Sequence, residues 1–202
     1  MNIFITNDDG IEAIGIQALA KNMAEFGNIY VVAPDKEYSG MSRSISIRKP
    51  LTAKKYHIAE DIVSYSLAGS PTDCVKVGIE GIFKEVEFDL LLSGINRGPN
   101  LGSDVFYSGT VSAALEGLYQ NIPSIALSNC SFEDDSNAYE LICDKFREFL
   151  NGYLKNMDKQ QEFILNINFP EKIGVDNEFA VTYLGRRDYN NVILKRDLGI
   201  DI

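Results

Sequence analysis

The sequence predicts an α/β fold built on a Rossmann-like, mainly parallel sheet, with helices on both faces and a small β-hairpin extension. Three observations lead there. Short apolar runs rich in β-branched residues alternate with segments of helical period. One run, "FDLLLSG", reads as a fully buried strand. Polar segments, most of them marked by glycine, follow the runs directly. At 202 residues, with 45% hydrophobic and 10% aromatic content, the chain has the size and composition of a single domain over residues 1–202.

"NIFIT" reads as the first strand, and Ile16, Leu19, Ala20, Met23 and Phe26 give the next segment one apolar helical face. "NIYVVAP" is the second strand, closed by Pro34. A polar loop from Asp35 to Ser44 leads to "ISIRKPL" and "DIVSYSLAG", read as the strands of the side hairpin. "SPTD" opens a helix: Ser70 caps, Pro71 occupies the first helical position and Asp73 closes a capping box, with the helix running to about Phe83. "FDLLLSG" is a buried strand. The long connection "INRGPNLGSDVFYSG" then leads into a helix that places Val111, Ala114, Leu115 and Leu118 on one face. "IPSIALSN" is another strand, and Asn137–Leu154 is the clearest amphipathic helix. "FILNINFP" and "FAVTYLG" read as late strands. The tail after Asn190 has no clear pattern.

The formal net charge of −10 excludes broad capture of nucleic acid or of an anionic membrane, because neither polyanion meets a basic face. Phosphate has to be met locally, by a metal, a single Arg or backbone N–H groups. Cys74, Cys130 and Cys143 are three in number, without C-x-x-C spacing, and read as reduced thiols of a cytoplasmic protein. No apolar stretch approaches the roughly 18 residues of a membrane span. His57 is the single histidine and lies in a lysine-rich stretch, which argues against a Ser-His-Asp triad and against histidine-rich zinc sites. There is no GxxxxGK[ST] and no GxGxxG, so neither a P-loop nor a dinucleotide fingerprint is present.

Ligands of open α/β sheets bind beyond the carboxyl ends of the strands. The segments to compare are therefore "NDDG", "DKEYSGMSRS", "SGINRGPNLGSDVFYSGT" and "SNCSFEDD". Asp8 and Asp9 are adjacent carboxylates. A turn at Gly10 lets them converge on an oxygen-coordinated cation such as Mg²⁺ or Mn²⁺, with Ser39, Asn96 and Asn100 as neutral oxygen donors nearby. The competing reading makes "DDG" an ordinary turn or cap. Ser108, Gly109 and Thr110 precede a helix and offer an anion site of backbone N–H groups and hydroxyls; an ordinary N-cap is the alternative. Ser42, Arg43 and Ser44 are either substrate contacts or a solvated loop.

"TNDDG", "VVAPDKEYSGMSRSIS", "LAGSPTDCVKVGI", "LLLSGINRGPNLGSDVFYSGTVSAALEG" and "IPSIALS" occur in the order seen in the SurE survival-protein family, which the chain resembles closely over residues 1–130 and less tightly at "NINFP" and "VTYLGRRDY". The resemblance implies a metal-dependent 5′(3′)-nucleotidase with one divalent cation, Mg²⁺ or Mn²⁺. It implies hydrolysis of nucleoside 5′-monophosphates, with 3′-monophosphates and short polyphosphate as further substrates. By motif the metal ligands are Asp8, Asp9, Ser39 and Asn96, the phosphate and substrate side is Asn100, Ser108, Gly109 and Thr110, and Asp8 and Asp9 are catalytic. Asp9 is then the plainer ligand and Asp8 the candidate base, without the sequence deciding between them. The family also implies a homodimer or homotetramer and a C-terminal extension beyond "VILKRDLGIDI", absent from these 202 residues. From another class, a non-catalytic nucleotide-binding regulatory module fits the same pocket, and a structural calcium site is the third reading.

Overall fold

β1 (Asn2–Thr6) is the strand around which the chain reverses direction across the sheet. The computed structural model describes residues 1–156, 163–174, 178–186 and 189, so the tail after Asn190 lies outside the described residues. On one side β1 pairs in parallel with β2 (Asn28–Pro34), which pairs in parallel with β4 (Ile62–Leu67); β3 (Ala53–Tyr56) closes that edge antiparallel to β4. On the other side β1 pairs in parallel with β5 (Leu90–Arg97), followed by β6 (Ser124–Asn129) and β7 (Leu165–Phe169). The order is β3-β4-β2-β1-β5-β6-β7, so the switch point of the doubly wound sheet falls between β1 and β5.

Strand alternation sends neighbouring residues to opposite faces and so builds two cores. Ile3, Ile5, Val31, Leu92 and Leu127 pack against α1 (Ile14–Met23) and α4 (Ser136–Leu154), through Ile16, Leu19, Met23, Ile142 and Phe146. Phe4, Val32, Leu67 and Leu91 pack on the other face against α2 (Pro71–Val77) and α3 (Gly109–Tyr119), through Cys74, Val75 and Ala113. The predicted helices on both faces are thus present. All three cysteines are free thiols, two of them buried.

Several expectations need correction. "ISIRKPL" forms no strand: the Ser46 N–H and hydroxyl both bond to Asp73, at 2.8 and 2.9 Å, while Ile45 and Ile47 are exposed. A side chain has taken the donor that a strand partner would need. The hairpin is β3–β4, and it continues the main sheet instead of standing beside it. "FAVTYLG" likewise forms no strand. Its period-2 apolar pattern is not enough by itself: among the described residues it joins no strand of the sheet, and Val181 and Tyr183 are exposed. On α3 the buried residues include Ala113, Ser112, Glu116 and Gly117, whereas Leu115 is exposed. The small residues are inside because β5 and α2 approach closely: a Cβ on Gly117 would lie 2.6 Å from Leu91. The helix after Ser70 does reach Ile82, its last turn being a π-turn over Gly78–Ile82.

The capping box of α2 is complete: the Asp73 N–H donates to Ser70 Oγ at 3.1 Å and the Ser70 N–H donates to Asp73 Oδ2 at 3.0 Å. Ser70→Ala should therefore cost about 1 kcal/mol in urea unfolding. Asp73→Ala, which also releases Ser46, should cost about 2 kcal/mol.

Candidate active site

β1 ends at Thr6 and the chain turns at once. Asn7 holds the turn from both sides, its Nδ2 donating to the Gly10 carbonyl at 2.8 Å and its Oδ1 accepting the Gly10 N–H at 3.2 Å. Gly10 sits at φ +101°, and a Cβ there would come within 3.1 Å of the Lys36 backbone, so the position requires glycine. The turn is fastened to the loop after β2 by the Tyr38 N–H, which donates to the Asp8 carbonyl at 2.7 Å.

The two carboxylates leave this turn in different directions. Asp8, 4% exposed, lies under the N-terminus of α3, where Thr110 donates its N–H to Oδ2 at 3.1 Å and its hydroxyl to Oδ1. Gly109 lets the helix come this close, since a Cβ there would lie 2.8 Å from the Asp8 carboxylate. Asp9 points to the end of β5, where its Oδ2 accepts the Arg97 N–H at 2.9 Å. Burial pushes the Asp8 carboxyl above the ordinary carboxylate range, against the opposing pull of the Thr110 and Gly109 donors. Burial and then the Asp8 charge raise Asp9 to about 7. The pair is short of positive charge.

The donors around that pair fit a hard divalent cation. Among the described residues no group of three or more His, Cys, Asp or Glu side chains is placed to hold a metal, so neutral oxygens have to complete the coordination. Asn96, near the end of β5, donates its amide nitrogen to the Gly98 carbonyl at 2.7 Å, which leaves the oxygen end for a cation. Ser39, exposed in the loop after β2, donates its hydroxyl to Glu37 Oε1 at 2.6 Å and keeps its lone pairs. Asp8, Asp9 and Asn96 thus lie at the ends of the two strands flanking the switch point, and Ser39 comes from the adjoining loop.

Other expected contacts are engaged within the protein. The Ser108 hydroxyl caps α3 by accepting the Val111 N–H at 3.1 Å, and the Ser108 N–H donates to the Asp104 carbonyl at 3.1 Å. The anion held at this helix N-terminus by Thr110 is Asp8. Asn100 is buried and organises the loop between β5 and α3. Its Nδ2 donates to Ser128 Oγ at 2.8 Å, its N–H donates to Asn168 Oδ1 at 2.8 Å, and its carbonyl accepts from Asn166 and Asn168 at 2.9 and 3.2 Å. Arg43 is paired with Glu116 at 2.7 Å. Ser42 bonds to the Phe106 carbonyl, and the Ser44 carbonyl accepts from Ser70.

Sequence reasoning passed over Arg97, Asn7 and Glu116. Arg97 joins three loops: its N–H holds Asp9, and its guanidinium reaches Asp134 at 3.0 Å and Glu37 at 3.5 Å. The signal was an arginine directly after Asn96 in a chain of net charge −10. For Glu116 it was a carboxylate on a helix of otherwise small and apolar residues. Asp9 and Arg97 open on a cavity of about 190 Å³ shared with Glu12, Ala13, Asp134 and Tyr139. A larger, mostly apolar cavity of about 830 Å³ lies between α3, α4, β7 and residues 178–184, and none of the four oxygen donors lines it.

Fold and site together define a doubly wound α/β protein with an acidic pair and neighbouring oxygen donors at its switch point. The chain belongs to the SurE family. A family model described as "Survival protein SurE" matches residues 3–191. The chain is similar to the 5′-nucleotidase SurE of Kosmotoga olearia, at 46% identity covering 97% of this chain and 76% of that protein. It is also similar to the 5′-nucleotidase SurE of Thermosipho africanus, at 49% identity with the same coverage. Among solved structures it resembles the SurE protein from Aquifex aeolicus, with TM-score 0.75, 38% identity, 85% of this chain and 67% of that one covered.

The raised acid pair makes stability depend on pH. With divalent cations chelated, Asp9 holds its proton up to about 7 in the folded state and only to about 3.8 unfolded, so folding binds a proton in that window. Its stabilising share is complete below about pH 4 and is lost as pH rises to about 7, at up to about 1.4 kcal/mol per pH unit. Urea unfolding in EDTA should show that decline, and Asp9→Asn should flatten it. Added Mn²⁺ should reverse the slope, because the cation binds the deprotonated pair.

Proposed function

We propose that the protein is a divalent-metal-dependent 5′-nucleotidase that hydrolyses nucleoside 5′-monophosphates to nucleoside and phosphate. The observation that carries this reading is the Asp8–Asp9 pair at the switch point, Asp8 buried and Asp9 half-buried, with Asn96 and Ser39 on the adjoining strand end and loop, in a chain that belongs to the SurE family. Relatives named 5′-nucleotidase at 41–49% identity support the substrate class. Asp8, Asp9, Asn96 and Ser39 would hold one Mg²⁺ or Mn²⁺, which supplies Lewis-acid polarisation of a phosphoryl oxygen.

The residues of the chain divide the remaining work. Asp8 is fixed, since Thr110 engages both its oxygens. Asp9 has one oxygen committed to the Arg97 N–H and the other open to the cleft, so it is the group that takes the proton from the attacking water at Oδ1. That exchanges the roles the sequence left open. Water oxygen attacks phosphorus, the bond from phosphorus to the ester oxygen breaks, and the leaving nucleoside oxygen takes up the proton that Asp9 accepted, which leaves hydrogen phosphate and restores the Asp9 carboxylate. Asn100 and Ser108 keep the loop and helix that frame the phosphate in place. The free thiols support a reducing, cytoplasmic setting, and among the described residues no helix is long and apolar enough to cross a membrane. The large apolar cavity, with exposed Val181, Tyr183 and Leu184 beside it, supports assembly into a homodimer or homotetramer.

Incubation with AMP, GMP, 3′-AMP, tripolyphosphate and p-nitrophenyl phosphate, with Mn²⁺ or with EDTA, tests the proposal. Phosphate release from the 5′-monophosphates should require the metal, and Asp9→Asn should lower kcat/KM by about 100-fold or more while weakening Mn²⁺ binding. Thermal stabilisation by AMP without any phosphate release would instead identify a nucleotide-binding module.

A further inference from the structure

The loop that brings Ser39 to the site is fastened to α3, and we propose that Arg43 is the positioning residue that holds it there, acting through Glu116. The inference rests on the reading of Ser39 as a metal ligand. After β2 the chain passes through two left-handed residues, Gly40 at φ +70° and Ser42 at φ +51°. Glycine adopts that conformation freely; serine does not, and keeps it only under restraint from outside the loop.

The restraint comes from α3 and the residues just before it. The Ser42 N–H donates to the Tyr107 carbonyl and its hydroxyl donates to the Phe106 carbonyl, each at 3.0 Å. Both acceptors immediately precede Ser108, the N-cap of α3. Arg43 follows with Nε and Nη2 on Glu116 Oε2, at 3.1 and 2.7 Å, and its guanidinium lies over the Tyr119 ring, 5.4 Å from the centroid. The Glu116 side chain is 7% exposed, so its charge is costly to leave unpaired, and the fork geometry of Arg43 fixes the loop's direction.

α3 therefore serves two donors at once. Its N-terminus holds Asp8 through Thr110, and its body holds the Ser39 loop through Glu116. Helix and loop keep Ser39 in register with Asp8 without Arg43 reaching the substrate. Loss of Arg43 frees Ser39 while leaving Asp8, Asp9 and Asn96 where they are.

The test is Mn²⁺ titration by calorimetry together with amide hydrogen exchange over Tyr38–Ser46. Arg43→Ala should weaken Mn²⁺ binding about 10-fold and speed exchange in that segment, while kcat for AMP at saturating Mn²⁺ stays within about twofold of the unsubstituted protein. Because Arg43→Ala alone strands a buried carboxylate, Arg43→Ala/Glu116→Gln is measured beside it and should show the same loss, with Arg43→Lys recovering part of it. In a Ser39→Ala background, Arg43→Ala should weaken Mn²⁺ binding no further. Unchanged Mn²⁺ affinity in the Arg43 variants, when Ser39→Ala does weaken binding, overturns the positioning role. So does an equal loss with and without Ser39. Unchanged affinity in Ser39→Ala itself overturns the ligand reading, and this inference with it, whereas metal-dependent hydrolysis of AMP is judged separately.

Discussion

A carboxylate buried under the first turn of a helix sets the terms for the rest of this molecule. Asp8 has been taken out of water, and only the N-terminus of α3 offsets the cost, through the Thr110 N–H and hydroxyl and the positive end of the helix dipole. The contact joins the last turn of β1 to a helix more than a hundred residues later in the chain. It also explains Gly109, because any side chain there would displace the carboxylate. Those donors serve one negative charge and only in part, since burial still holds the Asp8 carboxyl above the ordinary carboxylate range. Asp9 is the second, and its raised proton affinity is the measure of what is missing. On the proposed reading a cation between them would remove the deficit, and Asn96 and Ser39 offer the oxygen donors that such a cation would need.

Around this centre the loops are tied chiefly to one another. Asn7 closes the turn after β1, Tyr38 joins that turn to the loop after β2, and Arg97 links the ends of β1, β2 and β6. Asn100 is gripped by Asn166 and Asn168 of β7 through both of its backbone groups. The Arg97 ion pairs are partly exposed and each contributes little stability. Their effect is geometric: a rim built from four separate loops keeps one shape because each loop is bonded to its neighbour.

The fold was legible wherever periodicity and local capping decide structure. β1, β2, β6 and α4 lie within a residue or two of their expected positions, and the Ser70–Asp73 box was readable because all its members are within one turn. Where a distant side chain takes over a backbone donor, the pattern misleads. "ISIRKPL" alternates like a strand, yet Asp73 holds Ser46; "FAVTYLG" alternates too, but among the described residues it joins none of the strands of the sheet. Site residues divide the same way. Two adjacent acids after the first strand announce themselves, whereas the use of the α3 N-terminus for Asp8 depends on a contact across a hundred residues that no local spacing encodes.

Size and chemistry point to different places on this protein, and the difference is instructive. The roomier of the two cavities is lined mostly by apolar side chains such as Val111, Leu115, Phe149, Ile167 and Phe179, surfaces that attract apolar partners. The smaller cleft at Asp9 and Arg97 has the polar groups but sets Asp9, Glu12 and Asp134 against one arginine, an excess of negative charge that opposes a dianionic monoester. In a chain of net charge −10 no long-range field draws such a substrate in. On the proposed reading, affinity for phosphate would be created at the site by positive charge held between Asp8 and Asp9, so those two carboxylates would answer for substrate binding as well as for chemistry.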